Sequence, residues 1–254
     1  MERIDVAVVG AGVTGLASAR ALAAAGFTTC LLERHHRPGL DTSTHNSGVI
    51  HAGLYYPPGS LKARLCVEGR HKLYAFCEAR GVPHARCGKL VVAADGSEVG
   101  ELHRLLANGR ANGVEGLALV DPAFVRAREP HVHAVAALWS PGSGIVDAEA
   151  YVRALLHAGE EAGVVFLRGA GLVSAERHDE GMVLHTARES ILARQVVNAA
   201  GLHADEVSAI LGGEAFTIYP CRGEYAAFTP ARRYLVNALV YPLPHASGHG
   251  LGVH

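Results

Sequence analysis

A chain of 254 residues that is 49% hydrophobic and 19% charged can bury one large or two small globular cores, which excludes a disordered chain. Its 23 Lys and Arg against 24 Asp and Glu leave a net charge of -1, with no basic stripe for nucleic acid and no basic cluster for anionic lipid. Sixteen scattered histidines show no HExxH or other ligand spacing, so no metal site is expected, and five cysteines without a CxxC pair read as free thiols of a reducing compartment.

The N-terminal run "VAVVGAGVTGLASARALAAAG" is apolar and ends in small residues. Glu2 and Asp5 nevertheless stand where a signal peptide carries positive charge, and Arg20 interrupts the run. Its glycine spacing is the better explanation. Residues 4–9, "IDVAVV", predict a buried parallel strand. "GAGVTG" then sets Gly10, Gly12 and Gly15, "LASARALAAAG" predicts a helix stopped at Gly26, and "TTCLLE" predicts a second strand ending at Glu33. This is a βαβ dinucleotide fingerprint. Gly10 permits the tight turn, Gly12 lets a pyrophosphate approach the backbone, and Gly15 lets helix and strand pack closely. The helix N-terminus offers N–H groups and partial positive charge to phosphate. Glu33 is placed to accept from a ribose hydroxyl, which favours NAD or FAD over NADP; the fingerprint does not choose between those two.

Residues 45–56, "HNSGVIHAGLYY", show neither a helical stripe nor strand alternation. A helix is predicted over 59–81, with Leu61, Leu65, Leu73 and Phe76 spaced for one buried face. "GKLVVAA" predicts a strand, "SEVGELHRLLANGRANG" a second amphipathic helix, and "DPAFVRAREP" a helical turn followed by a loop. Asp147 caps a predicted helix "AEAYVRALLHAGEEAG", and "VVFLRG" is a strand. Residues 172–201 predict a meander of short strands that turns at 179–181 and closes with "QVVNAAG". Ala199, Ala200 and Gly201 at its carboxyl end would let that last strand lie beside the first and face the dinucleotide.

A nucleotide domain interrupted and completed later favours FAD, because NAD dehydrogenases more often keep their βαβ units contiguous. The expected fold is α/β: a Rossmann-like FAD-binding domain from residues 1–88 and 145–212, interleaved with an α+β substrate domain from 89–144 and 213–254. No segment is long and apolar enough to span a bilayer. The expectation is a cytoplasmic protein whose contact with the inner membrane face, if any, is peripheral.

"HNSGVIHAGLYYPPGSLKARLCVEG" at 45–69, "CGKLVVA", "VVNAAGLHAD" and "PCRGEYAAF" carry a family resemblance. The sequence resembles the FAD-dependent oxidoreductases of the D-amino-acid oxidase and glycerol-3-phosphate dehydrogenase superfamily, and within it the L-2-hydroxyglutarate dehydrogenase/oxidase family. The resemblance runs over essentially the whole chain, and the 45–69 block is far more specific than GxGxxG. It implies FAD as cofactor and oxidation of an L-2-hydroxy acid to a 2-oxo acid, with hydride passing to flavin N5 while a base takes the hydroxyl proton. It implies that residues 44–48 wrap the pyrophosphate and the isoalloxazine edge, with Thr44, Asn46 and Ser47 near the cofactor and close approach at Gly48 and Gly53. Val173, Ala200 and Gly201 complete the implied cofactor contacts.

His51 is the first choice for the base, since histidine titrates near working pH. Tyr55 or Tyr56 would point into the same chamber, with Tyr56 taken as the catalytic partner; His249 and His254 are weaker candidates for the base. His45 and His51 also read as hydrogen-bonded loop residues. The two substrate carboxylates need a cation. Arg222 is the candidate, with equal weight on a surface strand cation, and Lys62 and Arg64 stand behind it. Family members continue past "HASGHGLGVH", where 250–254 read as the middle of a strand, so the substrate domain is expected to be incomplete at the C-terminus. Two alternatives stay open: a related flavoenzyme acting on an amino acid or glycerol-3-phosphate, and an FAD-binding fragment without catalysis. The implied partners are the 2-hydroxy acid and an electron acceptor, whether quinone, carrier protein or oxygen.

Overall fold

The structure, a computed structural model, describes residues 1–244. In chain order its elements are β1 (Glu2–Val9), α1 (Val13–Ala24), β2 (Thr29–Glu33), β3 (Val49–Ile50), α2 (Leu61–Arg80), β4 (His84–Ala85), β5 (Lys89–Ala93), α3 (Val99–Ala111), β6 (Ala118–Val120), α4 (Pro122–Arg128), β7 (Ala136–Ser140), β8 (Gly144–Val146), α5 (Ala148–Glu161), β9 (Val165–Arg168), β10 (Leu172–His178), β11 (Gly181–Thr186), β12 (Ser190–Asn198), α6 (Ala204–Ile210) and β13 (Leu239–Pro242). They fall into two compact units, residues 1–46 with 147–221 and residues 47–146 with the segment from 222 onward.

The first unit is built on a six-stranded sheet of order β10-β11-β12-β1-β2-β9. β12, β1, β2 and β9 run parallel, and β11 and β10 are antiparallel additions at one edge. The second half of β1 and all of β2 are buried, as expected of continuous apolar runs in a parallel sheet. Pairing of Val9 with Asn198 brings the carboxyl ends of β1 and β12 together, as the small residues after Asn198 led us to expect. Ala7, Val9, Cys30 and Leu32 share a core with Val207 of α6, and α1 packs against α5. β10 and β11 turn through 179–180, with His178 paired to Gly181. Asp147 caps α5 by accepting from the Ala150 N–H at 2.9 Å.

The second unit holds a four-stranded sheet of order β13-β5-β7-β6 and a small sheet of order β3-β8-β4. Leu102, Leu105 and Leu106 of α3 close a core with Val91, Ala93 and Leu138. The domain limits differ from the expected ones: residues 47–88, assigned from sequence to the nucleotide domain, belong here. β3 and β4 both pair with β8, and that pairing draws in the whole segment between them.

The buried face of α2 also differs. Ala63, Arg70, Tyr74 and Cys77 are buried, while Leu61 and Leu65 are 61% and 50% exposed. Leu61 and Ala63 are two positions apart, about 200° around the helix, so the first two leucines of the expected stripe lie opposite the packed face, while Leu73 and Phe76 are half-buried at its edge. Buried Glu129 accepts from the Asn237 N–H at 2.9 and 3.1 Å and from the Ala238 N–H, and so fixes the chain just before β13. The strand expected over 250–254 lies outside the described residues.

Candidate cofactor and substrate site

In the first unit the turn from β1 into α1 forms a cradle. Gly10 has φ of +103°, and a Cβ there would lie 2.6 Å from the Ala199 carbonyl oxygen. A Cβ on Gly15 would lie 1.8 Å from the Gly10 oxygen. Both glycines are therefore required by the packing of the β1–α1 turn against the end of β12. Gly12 differs, because its Cβ would meet only the Ser43 hydroxyl, at 2.9 Å. The fold constrains Gly12 less than the other two, since only the Ser43 hydroxyl would have to turn aside; a group approaching the helix end would add its own need for a bare position.

Ser60, Asp121 and Asp147 cap α2, α4 and α5 with their own side chains. α1 has no such cap and no acid in its first turn, although the Val13 N–H donates to Ser43 Oγ at 3.0 Å. A helix start whose own N-cap residue brings no side chain, beside a bare glycine, suits a phosphate.

Glu33 ends β2, is 7% exposed, and is held rigidly: Oε2 accepts from the Ala11 N–H and Oε1 from the His35 N–H, each at 2.8 Å. Its carboxylate lines a cleft with Gly10, Ala170, Leu172, Ala200 and His203. An anchored carboxylate with lone pairs to spare suits a ribose hydroxyl, so the residues present fit an adenine dinucleotide. At the rim Asp41 accepts from Arg34 at 3.0 Å and pairs with His35 at 3.2 Å. Burial works to raise the Asp41 carboxyl, but Arg34 and His35 more than offset it and hold it below the ordinary carboxylate range.

Of the remaining cofactor candidates in this unit, Ala200 lines the cleft and Gly201 follows it with φ of +58°. The Val173 side chain is exposed, and its neighbour Leu172 is the one in the cleft lining. Thr44 donates to the Gly39 carbonyl at 2.6 Å, His45 Nδ1 meets the Asp41 carbonyl at 2.9 Å, and Asn46 Nδ2 donates to the Thr42 and Ser43 carbonyls. These side chains fold the 39–46 loop on itself.

In the second unit Ser47 is exposed and Gly48 has φ of +63°, with the Val146 oxygen 2.5 Å from where a Cβ would sit. Residues 53–56 are held by two asparagines of the α3 region. Asn108 Nδ2 donates to the Leu54 and Tyr56 carbonyls at 2.7 and 2.9 Å, and Asn112 Nδ2 to the Gly53 and Tyr56 carbonyls at 2.9 and 2.8 Å. His51 is half-buried, and its carbonyl accepts from the Cys66 thiol at 3.6 Å. The Lys62 ammonium lies 4.7 Å from the centre of the Tyr56 ring, and burial raises the Tyr56 hydroxyl's pKa.

Lys89 of β5 is 1% exposed. Its ammonium lies 3.8 Å from the centre of the Tyr241 ring and 5.4 Å from that of Tyr55, and burial lowers its pKa to about 8. The Tyr55 hydroxyl is buried without a hydrogen-bond partner among the described residues. Arg222 is exposed and paired with Glu224 at 2.5 Å, and Arg64 is exposed. His249 and His254 lie outside the described residues. Ser43, Asn108, Asn112 and Lys89 were missed from sequence. The asparagines had a signal in the repeated "ANG" of "ANGRANG", and Lys89 had one as a charge inside the apolar run "GKLVVA". Ser43 had none, because its role depends on how the loop returns to α1.

Residues 5–254 match the family described as FAD dependent oxidoreductase. Similar curated proteins include the mitochondrial L-2-hydroxyglutarate dehydrogenases of Nematostella vectensis (35% identical, over 100% of this chain and 59% of that protein) and Homo sapiens (37%, over 98% and 57%). The L-2-hydroxyglutarate dehydrogenase of Indibacter alkaliphilus is 37% identical over 98% of this chain and 64% of its own length. The chain thus spans less than two thirds of these relatives. A dithionite-reduced L-alpha-glycerophosphate oxidase from Mycoplasma pneumoniae with FAD bound has a TM-score of 0.85 at 26% identity, covering 100% of this chain and 68% of that one. Glycine oxidase from Geobacillus kaustophilus has a TM-score of 0.75 at 25% identity, covering 84% and 59%.

Proposed function

The chain belongs to the FAD dependent oxidoreductases and its cofactor is FAD; on that premise we propose that it oxidises L-2-hydroxyglutarate, an L-2-hydroxy acid, to the 2-oxo acid. The observation that carries the reading is the likeness, at 35–37% identity over 98–100% of the chain, to proteins of that printed activity from animals and a bacterium.

Bound FAD would supply the two-electron acceptor. Gly10, Gly12, Gly15 and the start of α1 would hold its pyrophosphate, and Glu33 a ribose hydroxyl. Thr44, Asn46, Ser47, Gly48, Val173, Ala200 and Gly201 would complete its surroundings. His51 would take the proton of the substrate hydroxyl on a ring nitrogen, and Tyr56 would orient the substrate. Arg222 would have to exchange Glu224 for a substrate carboxylate, an inexpensive step because exposed ion pairs are worth about 0–1 kcal/mol. The electrons would leave to a quinone, a carrier protein or oxygen. Among the described residues no helix is long and apolar enough to cross a membrane, so contact with a membrane-borne acceptor through those residues would be peripheral.

The likeness to the glycerophosphate oxidase favours a second reading, oxidation of a phosphorylated polyol. A panel of L-2-hydroxyglutarate, D-2-hydroxyglutarate, glycine and glycerol-3-phosphate, assayed with a dye as acceptor, separates the readings. Preference for L-2-hydroxyglutarate by roughly a hundredfold or more in kcat/KM is expected. Faster turnover of glycerol-3-phosphate would replace the first reading by the second.

A further inference from the structure

Lys89 is a buried cation without an acid. No hydrogen bond or ion pair of its ammonium occurs among the described residues; two tyrosine rings lie against it, and the Cys66 and Cys87 thiols are within electrostatic reach. Cation–π contacts compensate only part of the desolvation of an ammonium, so the arrangement is costly as it stands. A hydrophobic residue would pack in a strand interior without that penalty.

The surroundings are equally one-sided. Lys62, Arg70 and Lys89 all act electrostatically on the half-buried Cys66 thiol, whose pKa burial raises and these three cations lower. Arg70 is 5% exposed and its guanidinium meets the ring nitrogen of His71 at 2.9 Å, while Lys62 lies over Tyr56. Among the described residues none of the three is paired with a carboxylate. Beside them the Tyr55 hydroxyl is buried and has no hydrogen-bond partner among the described residues. A donor and a cation, both left unsatisfied by the fold in one cluster, are complementary to one anionic oxygen pair.

We infer that Lys89 and Tyr55 form an anion subsite that holds the carboxylate remote from the reacting carbon of a dicarboxylate substrate, an assignment that rests on the hydroxy-acid oxidation proposed above. Lys89 supplies the charge and Tyr55 O–H the second donor. Arg70 and Lys62 deepen the positive field without touching the anion. The half-buried Tyr241 ring covers the ammonium.

The test is calorimetric binding to the purified chain of glutarate, which has two carboxylates and no hydroxyl to oxidise, with butyrate and inorganic phosphate as controls. Glutarate is expected to bind more tightly than either control. Lys89→Met should weaken glutarate by roughly ten- to a hundredfold, since a charge-assisted hydrogen bond is lost, and leave butyrate unchanged. Glutarate affinity within twofold of the original in that variant, or no glutarate binding to the original chain, overturns the subsite. Phosphate binding as tightly as glutarate also overturns it, in favour of a general anion site. If Lys89→Met does not fold, Tyr55→Phe decides: a loss of about three- to tenfold supports the subsite and an unchanged affinity overturns it. Glutarate held through Lys89 in a chain that fails to oxidise L-2-hydroxyglutarate would keep the subsite and sink the proposed reaction instead.

Discussion

Gly12 and Gly15 sit three residues apart in one motif, yet different forces require them. Gly15 is pressed against the Gly10 carbonyl, so Gly15→Ala must push helix and strand apart. Such overpacking costs about 1–3 kcal/mol, read as a lowered melting temperature. Gly12 meets only a hydroxyl at the end of a movable side chain. Gly12→Ala is expected to keep its stability within about 1 kcal/mol while losing flavin, measured as visible absorbance per chain after purification. A Gly12→Ala protein with full flavin would remove the pyrophosphate from that position.

Lys89 makes the opposite kind of prediction. Burial lowers its pKa from 10.5 to about 8, so between those values the unfolded chain holds a proton that the folded chain has released. Stability therefore rises with pH across that window. Below it the buried charge subtracts about 3 kcal/mol. Lys89→Met should be more stable than the original chain by up to that amount at neutral pH, with the gap closing toward pH 10.5 in denaturant titrations. Anion affinity at Lys89 should fall as pH rises above 8, because the neutral amine holds no carboxylate. A variant that is stabilised and yet binds worse separates a functional residue from a packing one.

Elements set where these side chains stand. The loop at 53–56 has no regular structure of its own, and its carbonyls are gripped by Asn108 and Asn112. Asn112→Ala would free the Gly53 carbonyl and leave that of Tyr56 to Asn108 alone, and a cost of about 1–2 kcal/mol is expected in chemical denaturation, together with a raised KM in the proposed reaction. Glu129 plays the corresponding part for β13, which carries Tyr241. Glu129→Ala leaves the Asn237 and Ala238 N–H groups without this acceptor, and a loss of about 1–2 kcal/mol is expected in the same measurement.

Long elements were legible in the sequence: β1, α1, β2, α5 and the meander of β10 to β12 follow from apolar runs, caps and the glycine spacing. Strands β3, β4 and β8 were not, because two or three residues cannot show an alternation, and they exist only through pairing with one another. The face of α2 was misread because Leu61 and Leu65 outweigh Ala63 in any apolar pattern, although Ala63 is the buried one. At the site, glycines and Glu33 declared themselves by local spacing. Lys89 and Tyr55 come together only in the folded unit, and no local pattern joins β5 to the 51–56 loop.

At the scale of the molecule, two units share one chain by interleaving. The first needs residues 147–221 to complete a sheet begun at residue 2, because β12 lies directly beside β1. The second borrows residues 47–88 that follow the nucleotide motif in sequence. Neither could be cut out as a contiguous stretch, and insertion between β2 and β9 is what an FAD-type layout implies.

The central claim, an FAD-dependent oxidation of L-2-hydroxyglutarate, is tested most directly by the visible spectrum of the purified chain during anaerobic titration with that acid. The account predicts a bound flavin spectrum that bleaches, with 2-oxoglutarate formed in equal amount to the flavin reduced. A flavin spectrum that L-2-hydroxyglutarate leaves unchanged would contradict it.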